Sequence, residues 1–139
     1  MIDIKQIINP NEKQISSLRS KVEQETLIRT KKNNSKTLIQ IFDSDKLVAE
    51  CYAKQYLNSF HLYLMHVQKH YRKKGYGKML INALEEIATS QNIDFITLNT
   101  VINRPAKSFY LKAGFKLEFE RRGYANQETC CYFIREIKK

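Results

Sequence analysis

The stretch from Phe60 to Val101 constrains the fold of this chain more than any other part of its sequence. Two apolar runs, Phe60 to Val67 and Phe95 to Val101, predict buried strands. Between them lies a loop rich in lysine and glycine. After this loop, apolar residues recur at the spacing of one helix face: Leu80, Leu84, Ile87 and Ala88. A strand–helix–strand unit of this kind is expected to place its two strands in parallel within one sheet.

The flanking segments add further strands and helices. Before the unit we predict strands at Ile2 to Ile8, Thr37 to Phe42 and Leu47 to Lys54, and one or two helices from Glu12 to about Lys32. After it we predict a helix that begins at Asn103 and Pro105 and ends at Gly114, then strands at Phe115 to Arg121 and Thr129 to Ile137. No linker interrupts this pattern, so residues 1–139 are expected to form a single α+β domain with a mixed sheet.

The charge balance is strongly basic, with 24 Lys and Arg against 14 Asp and Glu, a net charge of +10. Such a field attracts anions, whether nucleic acid, a membrane surface or a small ligand rich in phosphate, and charge alone does not choose among them. No apolar run approaches the roughly 20 residues that cross a bilayer. The segment Met1 to Lys5 lacks the pattern of a signal peptide, so a cytoplasmic protein with no membrane attachment is expected.

Cysteine and histidine patterns predict no metal site. The three cysteines, Cys51, Cys130 and Cys131, form no Cys-x-x-Cys pair, and all fall in predicted strands, where a reduced thiol acts as a small apolar group. The three histidines also lack a zinc-like spacing.

The loop Arg72-x-x-Gly75-x-Gly77 lies between a predicted strand and the start of a predicted helix. Unpaired backbone N–H groups and the helix dipole make such a junction an anion site, and glycine lets a phosphate approach the backbone. Cationic side chains surround it: Lys69, Arg72, Lys73, Lys74 and Lys78. A solvated basic turn remains the alternative interpretation of the loop alone.

Two familiar phosphate loops are excluded. Leu80 stands where the dinucleotide fingerprint needs its third glycine. The P-loop requires a hydroxyl after Gly-Lys, and Met79 follows Gly77-Lys78.

Together with Asn103-x-x-Ala106-x-x-Phe109-Tyr110-x-x-x-Gly114-Phe115, this loop resembles the GNAT superfamily of N-acetyltransferases. By element order the resemblance covers about Leu47 to Phe133. It implies a mixed, mostly antiparallel sheet of about seven strands flanked by about four helices. It also implies a central pair of parallel strands that splay apart, with acetyl-CoA as co-substrate in the gap between them.

The resemblance also implies roles for individual residues. Backbone groups of Met65 and Val67 would pair with the pantetheine arm, and the amides of Lys73 to Lys78 would bind the pyrophosphate. Asn103 would bond the pantetheine arm, cap its helix, or do both. The implied cofactor-binding set is Met65, His66, Val67, Arg72, Lys73, Lys74, Gly75, Tyr76, Gly77, Lys78 and Asn103.

Tyr110 matches the position that the family uses as general acid. Attack of an amine on a thioester expels a thiolate whose thiol has a pKa of about 8.5, and a tyrosine with a pKa of about 10 is protonated at neutral pH. Such a phenol can donate to the sulfur as charge develops. The alternative interpretation is that Tyr110 packs beside Phe109 in the core.

The general base and the acceptor stay open at this stage. Leu98-Asn99-Thr100 offers no carboxylate in the segment where some relatives carry the base. Other candidates stand by location only: Glu50, His61, His66 and Glu118. The predicted acceptor is a primary amine, with a small molecule slightly favoured over a protein N-terminus or lysine. A CoA-sensing module and a nucleic-acid-binding module without catalysis are the alternatives, and a homodimer through the last strands is left open.

Overall fold

The computed structural model describes residues 2–26, 35–101 and 104–137. Contacts divide the chain into two units, Met1–Lys32 and Asn33–Lys139, each of which is described by itself. The prediction of a single domain over residues 1–139 stays a prediction.

Helix α1, Glu12–Thr26, lies in the first unit. It begins with a reciprocal capping box, because Asn11 Oδ1 accepts from the Gln14 N–H at 2.8 Å and Gln14 Oε1 accepts from the Asn11 N–H at 2.9 Å. The predicted helix is therefore confirmed as far as Thr26. Residues 27–32 of that prediction lie outside the described residues.

The strand predicted from Ile2 to Ile8 is wrong, because residues 2–8 carry no strand. Alternating apolar residues suit one face of a sheet, but a strand also needs a hydrogen-bonded neighbour, which alternation alone does not provide.

The second unit is built on a six-stranded sheet in the order β1-β2-β3-β4-β6-β5. Its strands are β1 (Lys36–Asp43), β2 (Lys46–Tyr56), β3 (Ser59–Val67), β4 (Phe95–Val101), β5 (Lys116–Ala125) and β6 (Glu128–Glu136). A short 3-10 helix, Lys69–Tyr71, precedes helix α2 (Tyr76–Ser90), and helix α3 (Arg104–Lys112) follows β4.

The predicted α+β class is confirmed, since β3 and β4 run parallel and the other neighbouring strands pair antiparallel. The counts differ from the expectation of about seven strands and about four helices. The described residues hold six strands and three α-helices, and the missing strand is the one expected at residues 2–8.

The parallel pair separates along its length. Only three residue pairs join β3 to β4, and the last of them is His61 with Thr97. Beyond that point β3 stays paired with β2 as far as Val67, and β4 stays paired with β6 as far as Val101. A wedge, which we call the β3–β4 gap, therefore opens toward the carboxyl ends of both strands.

One face of the sheet, here called the helix face, packs against α2 and α3. Phe60 and Ile96 from the paired ends of β3 and β4 are fully buried there. Helix α2 contributes four buried residues at helical spacing: Leu80, Ile81, Leu84 and Ala88. Each fully buried leucine or phenylalanine contributes about 1.5–3 kcal/mol. This burial fixes α2 against the helix face of the sheet.

Asn92 follows the C-cap of α2 and has the left-handed conformation, with φ of 55°. The chain then turns into β4, where the Ile93 N–H donates to the Ala88 carbonyl at 2.9 Å. Among the described helices, none is long and apolar enough to cross a membrane.

Candidate active site

The amino terminus of α2 presents unpaired backbone donors. Gly75 caps the helix without any side-chain hydrogen bond, and the first helical bond runs from the Met79 N–H to the Gly75 carbonyl at 3.0 Å. The N–H groups of residues 76–78 therefore have no acceptor among the described residues. No acidic residue lies in the first turn to offset the positive end of the helix dipole.

The two glycines at the amino terminus of α2, Gly75 and Gly77, have different structural roles. Gly75 has φ of 91°, and a Cβ added there would meet no other described residue within 4 Å. Glycine is therefore favoured here for its left-handed backbone conformation and not for lack of space. A Cβ on Gly77 would lie 2.9 Å from the Phe109 ring, so Gly77 allows α2 to approach α3 closely. The two sequence motifs that carried the family resemblance thus touch each other.

Side chain and backbone bonds hold the loop between β3 and α2. Two hydrogen bonds fix Gln68 to the start of β2. Its backbone N–H donates to the Val48 carbonyl at 2.8 Å, and its side-chain Nε2 donates to the Leu47 carbonyl at 2.6 Å. Arg72 Nε donates to the Val67 carbonyl at 2.9 Å. This bond holds a positive charge at the end of β3.

Beside the loop, the Tyr71 ring contacts two lysine side chains. Its hydroxyl donates to the Asp43 carboxylate at 3.3 Å, and the Nζ atoms of Lys46 and Lys74 lie 5.4 and 5.7 Å from its ring centroid. Cation–π attraction keeps Lys74 next to the helix terminus.

The free edge of β3 carries main-chain groups that face the β3–β4 gap. The Gln68 N–H bonds the Val48 carbonyl, and hydrogen-bonded pairs alternate along an antiparallel ladder. His66 and Glu50 therefore form a bonded pair, while Met65 and Val67 direct their N–H and carbonyl groups away from β2. Both of these residues are half-buried, whereas the His66 side chain is exposed.

Tyr110 is held by the way α3 ends. The Phe115 N–H bonds the Tyr110 carbonyl at 3.0 Å and the Gly114 N–H bonds the Leu111 carbonyl at 3.2 Å, which is a Schellman motif. Gly114 supplies the required left-handed residue, with φ of 89°. The apolar contact typical of this motif is also present, with the Tyr110 and Phe115 rings 5.6 Å apart.

Burial keeps the Tyr110 phenol neutral. Tyr110 is 9% exposed, and its pKa is raised above the ordinary value of 10.0, first by burial and then by the nearby Cys51 thiol. Burial also raises the pKa of Cys51 to about 11. Both groups thus stay protonated at neutral pH, and no described residue pairs with the Tyr110 hydroxyl.

Arg135, which the sequence did not single out, joins three elements. From β6 it donates Nη1 to the Ala113 carbonyl at the end of α3, at 3.0 Å, and Nη2 pairs with the Glu85 carboxylate of α2. The sequence signal that could have found it is its position two residues after buried Phe133 on the helix face, where a charged residue needs a partner.

Two of the four candidates for a general base make side-chain hydrogen bonds with described residues. His61 lies between Thr97 Oγ1 at 2.9 Å and Asn99 Oδ1 at 3.0 Å, and burial lowers its pKa below 6.5. Glu50 accepts from Gln40 Nε2 at 3.2 Å. His66 and Glu118 are exposed. These contacts do not single out one base.

The structure brings several predicted residues together. Met65, Val67, Tyr76 and Phe109 pack against the same core cluster as Tyr110. Residues 72–78 form the loop and first turn at this end of α2, whereas Asn103 lies outside the described residues.

All three cysteines are buried in strands, and none forms a disulfide bond. Within residues 2–26, 35–101 and 104–137, no cluster of three or more His, Cys, Asp or Glu side chains could hold a metal ion.

Comparison with known proteins agrees with this geometry. The family model described as the acetyltransferase (GNAT) family matches residues 2–115. The chain therefore belongs to the GNAT family of acetyltransferases, as the resemblance predicted. It is an acyltransferase of the class that uses acetyl-CoA, and no curated protein matches it.

Solved structures share the fold at low identity. An acetyltransferase from Bacillus cereus ATCC 14579 has a TM-score of 0.73 and 19% identity, over 95% of this chain and 97% of that one. The PaiA N-acetyltransferase from Thermoplasma acidophilum, in complex with coenzyme A, has a TM-score of 0.65 and 24% identity, over 92% and 80%. The ribosomal-protein-S18-alanine N-acetyltransferase from Escherichia coli has a TM-score of 0.69 and 18% identity, over 84% and 77%.

Proposed function

We propose that this protein transfers the acetyl group of acetyl-CoA to a primary amine by direct attack on the thioester within a ternary complex. The observation that carries the proposal is the row of unpaired amides at the start of α2, which opens beside the β3–β4 gap and close to Tyr110. We assign the activity to a single catalytic domain over residues 1–139, with a small molecule favoured as acceptor.

The amides of residues 73–78 bind the pyrophosphate of acetyl-CoA in this proposal. They lie at the positive end of the α2 dipole, where an anion is stabilised by both the free N–H groups and the surrounding cations. Because the Val67 carbonyl already accepts from Arg72, the Val67 N–H and the main chain of Met65 are the groups left to pair with the pantetheine arm. Asn103 is proposed as a further partner of that arm.

The chemistry then follows from the neutral phenol. The amine nitrogen, after losing a proton to a base or a water chain, attacks the thioester carbon and forms the C–N bond. The C–S bond breaks, and its electron pair moves to sulfur. The Tyr110 hydroxyl donates its proton to that sulfur, so coenzyme A leaves as a thiol. The acylated nitrogen loses its remaining extra proton to water, and a proton from water restores the Tyr110 phenol.

Gly75 allows a direct test of the phosphate site. Gly75→Ala should weaken coenzyme A binding about 5- to 30-fold, because a side chain costs about 1–2 kcal/mol in the left-handed region and the amides of the first turn would shift. Isothermal titration calorimetry of the purified protein measures the change.

Gly123→Ala is the matched control. Gly123 also has a positive φ, of 67°, and an added Cβ would likewise meet no other described residue within 4 Å, but it lies in β5. That variant should bind coenzyme A as the wild type does. If the wild type shows no saturable heat with coenzyme A, or both variants lose the same affinity, the proposed coenzyme site is wrong.

A further inference from the structure

An arginine on β5 lies against three aromatic rings. The Arg121 guanidinium is 5.5 Å from the Phe119 ring centroid, 5.2 Å from that of Tyr124 and 5.3 Å from that of Tyr132. Phe119 and Tyr132 stack on each other, with centroids 4.4 Å apart and an angle of 13° between planes. The guanidinium carbon is nearly equidistant from the two stacked rings, so it lies beside the pair, within cation–π distance of all three rings.

The guanidinium donors of Arg121 have no carboxylate partner among the described residues. A guanidinium carries five N–H donors arranged in one plane. No carboxylate of the described residues lies within ion-pairing distance of Arg121, and its side chain is exposed. Such an arginine presents a fork that suits the two oxygens of a carboxylate.

The cluster is connected to the β3–β4 gap along the face of the sheet opposite α2 and α3. Phe119 pairs with Tyr132 across β5 and β6, and Tyr132 pairs with Asn99 across β6 and β4. Asn99 in turn bonds His61 on β3. Because Arg121 reaches over the Tyr132 ring, its guanidinium lies about one to two strand spacings, roughly 5–10 Å, from the gap.

We propose that Arg121 binds a carboxylate of the acceptor, so that the preferred substrates are primary amines that also carry a carboxylate group. The proposal rests on the acetyl transfer proposed above. A molecule whose amine reaches the thioester in the gap would place an anion at Arg121 if the two groups are separated by a distance of that order. The net charge of +10 acts in the same direction, since it attracts anionic acceptors and repels polycations.

The test uses matched pairs of amines. A series of unbranched ω-amino acids of increasing length is compared with the corresponding primary amides, by thiol release from acetyl-CoA. The wild type should prefer the carboxylate member at one length by about 10- to 100-fold in kcat/KM, the range expected of a charge-assisted bidentate pair. Short peptides with an acidic residue after the first position are assayed as a second set of substrates. Their rates distinguish a peptide acceptor from a free amino acid.

Arg121→Gln should remove this preference and change kcat/KM for the amide by less than about 2-fold. Arg121→Lys keeps the charge without the planar fork and should retain part of the preference. Arg122→Gln is the control, since it removes the same charge from the adjacent exposed residue, which makes no ring contact among the described residues. The proposal would be overturned if the wild type showed no preference for the carboxylate over the amide. It would also be overturned if Arg121→Gln lowered kcat/KM equally for the amino acid and its amide.

Failure of acetyl transfer gives a different result. If coenzyme A binds but no amine releases thiol, the transferase proposal fails, and Arg121 is then tested by binding alone. An N-acetylated ω-amino acid, titrated into coenzyme-saturated protein and followed by NMR, should shift signals in the wild type and not in Arg121→Gln. Absence of saturation in the wild type would overturn the carboxylate site as well.

Discussion

Replacing Tyr110 by phenylalanine is expected to lower kcat about 100- to 10,000-fold, the range in which a positioned general acid contributes. The ring contacts of Tyr110 with Phe109, Phe115 and Phe133 do not involve the hydroxyl. The variant therefore keeps its packing and loses only the proton donor. The dissociation constant for acetyl-CoA should change by less than about 2-fold, since the pyrophosphate contacts are made elsewhere.

Thiol release under saturating acetyl-CoA measures the loss, and calorimetry measures the affinity. Tyr56→Phe is the control, because Tyr56 ends β2, is 63% exposed and lies outside the core cluster. An unchanged kcat in Tyr110→Phe would remove Tyr110 from the mechanism. A parallel fall in kcat and in acetyl-CoA affinity would instead assign it to binding.

The pH profile gives a second measurement on the same residue. Burial raises the pKa of Tyr110 above 10.0, so the phenol stays protonated to a higher pH than an exposed tyrosine. The wild-type rate should therefore show no loss of the acid below about pH 10. In Tyr110→Phe, any alkaline fall assigned to this group should disappear.

Sequence patterns predicted the central part of this fold well because local and long-range preferences agree there. The apolar run that forms β4 was predicted with its observed bounds. Three of the four residues predicted for the apolar face of α2 are buried, while the fourth, Ile87, is half-buried and Ile81 is buried in addition. The end of the third helix near Gly114 was also predicted, since a glycine in the left-handed conformation commonly follows a helix.

Other features depend on contacts between distant segments and have no local signature. The role of Gly77 depends on the Phe109 ring, which lies 32 positions later in the sequence. The ring contacts of Arg121 depend on the register that sets Phe119 beside Tyr132. At residues 2–8 the opposite holds, since the local pattern was correct for a strand and no pairing followed.

Arg135→Ala is expected to lower the free energy of unfolding of the second unit, Asn33–Lys139, by about 2–4 kcal/mol. The change leaves the Glu85 carboxylate without its cation and the Ala113 carbonyl without its donor, and both effects are costly in a half-buried site. The two side chains of the pair are only 20% and 27% exposed, which limits compensation by water. Urea unfolding followed by fluorescence or circular dichroism measures the midpoint and slope.

The other ion pair among the described residues provides the comparison for Arg135. Lys107 and Glu120 lie 3.5 Å apart with side chains 35% and 34% exposed, and Lys107→Ala should cost at most about 1 kcal/mol. Equal losses in the two variants would show that Arg135 acts only as a surface charge. A larger loss in Arg135→Ala, with a weakened coenzyme affinity, would mean that the contact between α2 and α3 also maintains the position of the phosphate-binding amides. Glu85→Gln should then lower stability less than Arg135→Ala, because the Ala113 carbonyl keeps its donor.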